Sequence, residues 1–292
     1  MTQSAVFVTG ATGIVGSAVV DHLLQRGEPV VTAVRGVVKD GGTDAAGGRA
    51  GVTPRPFDFA MSPDEMEAAL DGCDRLFLMR PPAIEDVRTY LFPLIDAAQR
   101  RGIRQIVFLS LQGVQANRKT PHHAVEAYLK QVDAPYTSLR PNFFMQNLTA
   151  MYGEEIRDHD EIFVPAGRSH TAFIDADDIG RVAAAVFTSE GHLRKAYTLS
   201  GEQSLTYRRI ADVLSDVLGR TIRYVKPSER EYLDRLRKQG HPDDYIAVQK
   251  MIYRIVRFNI SAFPNRVVRK LTGRPATTFR EFAERERAAW ER

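Results

Sequence analysis

The chain has 292 residues, 43% of them hydrophobic and 26% charged, which is enough apolar material for a large buried core and unlike a disordered or fibrous composition. Its one cysteine, Cys73, excludes an internal disulfide and a thiolate metal cluster, and no apolar run reaches the roughly 18 residues of a membrane-crossing helix. The net charge of +4 is unevenly held: residues 207–292 carry 20 Lys and Arg against 11 Asp and Glu, which leaves the rest of the chain slightly acidic.

Such a basic stretch could meet an acidic partner, a nucleic acid or an anionic substrate; a solvated face neutralised within the molecule is the simpler expectation. The composition predicts a cytoplasmic monomer or homodimer, with no membrane segment and with nucleic acid not expected as a partner. The seven histidines show no ligand spacing with carboxylates, so no metal is expected.

Ala5 to Val8 is a short apolar strand. Gly10, Gly13 and Gly16 follow at intervals of three, and Ile14, Val15, Ala18, Val19 and Leu23 then recur at helical spacing. Strand, glycine turn and helix in that order predict a dinucleotide site. Gly10 permits the sharp turn, Gly13 lets the backbone approach a pyrophosphate, and Gly16 lets the helix pack closely on the strand. The helix start adds the N–H groups around Ile14 and Val15, and Thr9 and Thr12 add hydroxyl donors.

Pro29 to Val34 reads as the second strand, ending at Arg35. An acidic residue at that tip would bind the ribose hydroxyls of NAD, whereas an arginine pairs with the 2′-phosphate of NADP. Arg35, with Lys39 near it and no acid before Asp40, therefore predicts NADPH over NADH. The six glycines between Gly36 and Gly51 predict a loop at the edge of the adenosine pocket in place of a full helix. Val52 to Phe59 resumes as a strand. Asp58 either accepts a hydrogen bond from the adenine amino group, with Phe59 beside the ring, or caps the helix of residues 64–70.

Asp74 to Met79 is a continuous strand of the kind a parallel sheet buries, and its end places Met79, Arg80 and Pro81 near the cofactor. Arg80 would pair with a phosphate or with a surface carboxylate. Val87, Leu91, Leu94, Ile95 and Ala98 form one helical stripe closed by Gly102, and Gln105 to Ser110 is the next strand. The regular alternation predicts an α/β fold with a doubly wound parallel sheet.

The turn TGATGIVG and the strand ending at Ser110 resemble the extended and atypical short-chain dehydrogenases/reductases, in which a serine stands at the end of the fifth strand. Their catalytic Tyr-x-x-x-Lys is missing: no tyrosine has a lysine four residues on, and the nearest case, Tyr136, has Arg140. Thr120-Pro-His-His-Ala-Val-Glu126 occupies that region, followed by Pro135-Tyr-Thr-Ser-Leu-Arg-Pro-Asn-Phe-Phe-Met-Gln-Asn147. With Gly201-Glu-Gln-Ser-Leu-Thr206 and Leu271 to Phe282, these segments resemble the NmrA-like family, an atypical branch that includes quinone, azo and triphenylmethane-dye reductases, imine-reducing enzymes and redox-sensing regulators.

The resemblance implies an NADP-binding Rossmann domain, residues 1–150, and a smaller mixed, mainly helical lobe, residues 151–292, with segments such as 170–200 returning to the sheet. It also implies that Pro141 and Phe143 lie with Ser110 among the cofactor contacts. Many members carry a lysine near the start of the helix after the fifth strand; residues 120–129 contain none here.

His122 and His123 stand in the first turn of a helix with Thr120 as N-cap and Pro121 first. They are candidates for a proton source or substrate contact. The alternative is that one packs against Glu126 and the other is solvated. Gln112 could hydrogen-bond a carboxamide or a substrate. Asn142 to Asn147 is expected to start a helix, with Phe144 and Met145 either walling a flat substrate or packing in the core. In the lobe, Tyr232, Tyr245, Met251 and Tyr253 either line the cleft or pack beneath it.

The expected function is NADPH-dependent reduction of an aromatic or conjugated small molecule (a quinone, iminium, azo or conjugated carbonyl compound) without a Tyr-x-x-x-Lys relay. The alternatives are an NADP-sensing regulator, and an isomerase or cyclase using the histidines as acid and base.

Overall fold

The computed structural model describes residues 4–36 and 49–292. Along them the chain forms β1 (Ala5–Val8), α1 (Ile14–Gln25), β2 (Val30–Val34), β3 (Val52–Pro56), α2 (Pro63–Ala69), β4 (Cys73–Met79), α3 (Val87–Tyr90), α4 (Phe92–Arg100), β5 (Gln105–Leu109), α5 (Pro121–Gln131) and β6 (Tyr136–Pro141). There follow α6 (Asn147–Ala150), α7 (Gly153–His159), β7 (Glu161–Ile162), β8 (His170–Thr171), α8 (Ala176–Phe187) and β9 (Lys195–Leu199). The last elements are β10 (Leu205–Thr206), α9 (Tyr207–Leu218), β11 (Arg223–Tyr224), α10 (Glu229–Lys238), α11 (Asp243–Arg257), α12 (Val267–Thr272) and α13 (Phe279–Arg285). No helix among the described residues is long and apolar enough to cross a membrane.

Two compact units result. The first holds residues up to Pro141 together with Ala176–Leu199 and Lys270–Gly273; the second holds the remainder. The sheet segment therefore ends at Pro141 and not at residue 150, and the returning piece begins at Ala176.

In the first unit seven strands run in the order β3-β2-β1-β4-β5-β6-β9, every pair parallel. The fully buried run of β5 and the buried Leu76–Leu78 of β4 are what a sheet covered on both faces requires. Strand order reverses between β1 and β4, the crevice where open α/β sheets take ligands at the strands' carboxyl ends. Arg75 of β4 brings a charge into this core, where it is satisfied by Glu28 at 2.7 Å and Asp74 at 2.9 Å. Helix α8 lies so close to α1 that a Cβ on Gly180 would fall 2.5 Å from the Ala18 carbonyl carbon.

Two local expectations change. The stripe from Val87 to Ala98 is two helices, because Pro93 stands in the first turn of α4 and cannot continue a helix from α3. Helix α2 is capped by Ser62, in a reciprocal box with Glu65, and not by Asp58.

The second unit is built around Tyr152, Ile156, Ile162, Tyr207, Leu214, Phe279 and Phe282, with the indole N–H of Trp290 donating to the Leu148 carbonyl at 2.9 Å. Thr206 caps α9 and Gly219, with a positive φ, ends it. The helix expected from Asn142 begins only at Asn147. Residues 143–145 are held extended instead, through a parallel bridge of Phe144 with Ile174 and hydrogen bonds of Phe143 and Met145 with the Ile174 backbone.

Candidate functional site: a glycine turn and the end of the fifth strand

Gly10 follows β1 in the left-handed region, with φ of 65°. The turn closes through the Gly13 N–H, which donates to the Gly10 carbonyl at 2.9 Å, and Gly13 then serves as the N-cap of α1. A Cβ on Gly16 would fall 2.0 Å from the Gly10 carbonyl oxygen, so helix and turn meet at a distance only glycine allows. No side chain caps α1, and its first turn holds no acidic residue. Val15 is buried while Thr12 and Ile14 are exposed, so the α1 end of the turn offers backbone N–H groups and the Thr12 hydroxyl. An uncapped, acid-free helix start behind a glycine turn fits the pyrophosphate of a dinucleotide.

Thr9 is not a free donor at this turn. Its hydroxyl donates to the Phe77 carbonyl at 3.0 Å and accepts from the Met79 N–H at 2.8 Å, pinning β1 to β4. Met79 lies against the turn, its Cε 2.0 Å from where a Gly10 Cβ would be.

Arg35 follows β2 and is exposed. Lys39 and Asp40, and most of the Gly36–Gly51 loop, lie outside the described residues. At the end of β3, Asp58 is exposed and accepts from the Ala60 N–H at 2.8 Å. Phe59 is buried edge-on against Phe57, so its ring is a packing group more than an adenine platform. Arg80 differs from both readings of it. Its Nη1 donates to the carbonyls of Pro81 at 2.9 Å, Pro82 at 3.0 Å and Ile84 at 2.6 Å, so this nitrogen braces the loop after β4, while the buried Nε has no partner among the described residues.

At the end of β5, Ser110 is buried and Gln112 donates its backbone N–H to the Pro141 carbonyl at 3.0 Å, tying the strand end to β6. Thr120 caps α5 as expected, with Pro121 in the first turn. The Glu126 contact expected for a histidine is absent, because Glu126 is taken by Arg140: Nε to Oε1 is 2.9 Å and Nη2 to Oε2 is 2.5 Å. Both members of this bidentate pair are buried. Burial alone would raise the Glu126 carboxyl, but its bidentate hydrogen bonds from Arg140 outweigh that and hold it below its ordinary value.

His123 places Nδ1 3.1 Å from the Val114 carbonyl. His122 lies beside the Phe108 ring, and burial, helped by the Arg80 charge and opposed by Glu126, pushes its imidazole down to about 4. The cause is chiefly desolvation.

Pro141 closes β6 and is buried. The extended segment after it sends alternate side chains to opposite faces. Phe143 and Met145 pack on the second unit's own core, and Met145 is 2% exposed. Met145 is thus a core residue, while Phe144 is partly buried.

The family model for the NmrA-like family matches residues 2–283. The chain belongs to the NmrA-like family. It is 32% identical to the NAD(P)H azoreductase of Xenophilus azovorans over 98% of this chain and 99% of that protein. Its fold superposes on the triphenylmethane reductase of Citrobacter sp. complexed with NADP(H), with a TM-score of 0.81 and 24% identity over 96% of this chain and 99% of that one. The NADPH-dependent quinone oxidoreductase of Escherichia coli complexed with NADPH gives 0.84 and 24% over the same shares.

What sequence reading missed in this NmrA-like chain is the buried Glu126–Arg140 pair behind Ser110. Its signal was present as an arginine inside the otherwise uncharged strand Tyr136–Pro141.

Proposed function

We propose that the protein is an NADPH-dependent reductase that transfers hydride to a flat, electron-poor small molecule such as a quinone, iminium, azo or conjugated carbonyl compound. The observation that carries the proposal is that an uncapped glycine turn shares a unit with a fifth-strand end where Glu126 and His122 hold no proton to release near neutrality. The Glu126 carboxylate is committed to Arg140, and His122, with a pKa of about 4, is unprotonated near neutrality. An acceptor reduced here must therefore ask little of a protein acid. An iminium becomes neutral on reduction, and a quinone gives a stabilised oxyanion that water protonates.

When bound, NADPH supplies the hydride. The backbone from Gly10 to Gly16 would hold its pyrophosphate, Arg35 its 2′-phosphate, and Met79, Pro81 and Ser110 would border the rest. Fixing the relative position of the two rings would supply most of the rate. The names of the relatives, an azoreductase, a quinone oxidoreductase and a triphenylmethane reductase, support this reading.

A screen of NADPH oxidation across quinones, imines, azo dyes and enones tests it, with unactivated ketones as the contrast. Turnover is expected in the conjugated classes. Tight NADPH binding with turnover of none of them would replace this reading with a sensing role. Arg35→Ala should weaken NADPH about tenfold in a fluorescence titration and leave NADH unchanged, as loss of one charge-assisted phosphate contact implies.

A further inference from the structure

The second unit contains a cavity of about 640 Å³ lined entirely by its own residues. Small-molecule sites commonly span about 300–1,000 Å³. Its walls come from α7 and the two residues before it, Glu161 of β7, α10, and the stretch from His241 to Tyr245.

Three carboxylates face this space, from Glu154, Glu155 and Glu161, against one guanidinium, Arg235. That guanidinium is already committed. Its Nη1 is 2.6 Å from Glu161 Oε1 and 3.6 Å from Glu155 Oε1, and its Cζ sits 3.2 Å from the centroid of the Phe163 ring. Arg235 thus balances Glu161 first, which leaves Glu155 weakly paired and Glu154 with no ion pair among the described residues. Burial holds the Glu155 carboxyl above its ordinary value; Arg235 opposes this and Glu161 adds to it. A carboxylate in that condition gains from a further positive charge.

The rest of the wall is aromatic. His241 and Tyr245 stack with centroids 4.7 Å apart and planes 23° from parallel. Tyr232 and Tyr152 are buried, and their hydroxyls are used elsewhere: Tyr232 donates to Gln249 Oε1 at 3.0 Å, and Tyr152 bonds the Tyr253 hydroxyl. They give the cavity ring surface, with no polar tip to spare. Ring surface beside carboxylates suits a cation carried on an apolar body.

We propose that the cavity is a binding site for an organic cation with a flat or apolar body, Glu154 and Glu155 meeting its charge and Tyr232 and Tyr245 packing on its body. The proposal rests on residues of the second unit alone and not on the reductase reading, and no bond is made or broken there.

Calorimetric titration of the full chain with benzyltrimethylammonium tests it, with benzyl alcohol as a neutral counterpart. Expected are saturable binding of one equivalent, weakening as salt rises from 0.05 to 0.5 M, and no binding of benzyl alcohol over the same range. The double variant Glu154→Gln/Glu155→Gln should bind at least fivefold more weakly. Because Glu155 is half-buried, Glu154→Lys at the exposed rim is the second variant, with a loss of tenfold or more expected. No saturable binding, equal binding of benzyl alcohol, or unchanged affinity in a variant whose thermal unfolding matches the parent protein would overturn the proposal.

Discussion

His122 shows how one half-buried side chain ties stability to pH. Its imidazole is held at about 4, below an ordinary value of 6.5, so the folded chain resists a proton that the unfolded chain accepts. Its contribution is fully present above pH 6.5 and is lost as pH falls from 6.5 towards 4, by up to roughly 3 kcal/mol. Glu126, held low, acts with the same sign but only below the ordinary carboxylate value of 4.5. Urea unfolding at pH 7, 6 and 5 should therefore show stability declining in the parent and a much flatter profile in His122→Gln. Equal slopes would mean that burial does not hold this imidazole neutral.

At this scale the sequence was informative where a residue's task is local. Gly10 and Thr120 could be read because a turn and a cap involve only neighbours. Thr9, Arg80 and Glu126 could not. The Thr9 partner Phe77 is 68 positions away, Glu126 is claimed by a residue 14 positions on, and Arg80 turns back on carbonyls of its own loop.

The meeting of α1 with the turn after β1 belongs to the scale of elements. A methyl group at Gly16 would collide with the Gly10 carbonyl oxygen, and backbone cannot move aside as a flexible side chain can. Gly16→Ala should push α1 off the turn, weakening NADPH at least tenfold and costing about 1–3 kcal/mol. Gly102→Ala is the useful contrast. That glycine also has a positive φ, 70°, but open space around it, so the substitution should cost about 1 kcal/mol and leave NADPH affinity intact. Fluorescence titration and thermal unfolding of the two variants distinguish a packing contact from simple backbone strain.

Most elements were legible because apolar runs, caps and closing glycines agreed. The exceptions have causes. Pro93 was visible as a helix-start residue inside the Val87–Ala98 stripe, and periodicity hid it. The extended form of residues 143–145 depends on Ile174, about thirty positions later, which no local pattern contains.

At the scale of the whole chain, the first unit is assembled from separated pieces. Helix α8 packs on α1, where His22 Nε2 meets Asp177 Oδ1 at 2.9 Å and Gly180 fits against Ala18, and β9 pairs with β6 from Thr137 to Pro141. A fragment of residues 1–150 lacks both, leaving the β6 edge unpaired and an apolar face of α1 bare. It should be insoluble or lack cooperative thermal unfolding, whereas residues 1–199, which keep both, should regain sheet signal in circular dichroism. The sequence suggested this return near residues 170–200 but not its boundaries, because the crossing at Asp175–Ala176 carries no glycine or proline to mark it.

The late arrival of β9 also governs how the molecule is made. As the chain leaves the ribosome, β6 emerges more than fifty residues before the strand that covers its edge, and at the usual pace of about 5–20 residues per second that is an interval of some seconds. During that interval the dinucleotide turn is complete, while the sheet it belongs to still has an open side. Binding of cofactor to the nascent chain would bias that half-built sheet towards its final form before its last strand exists.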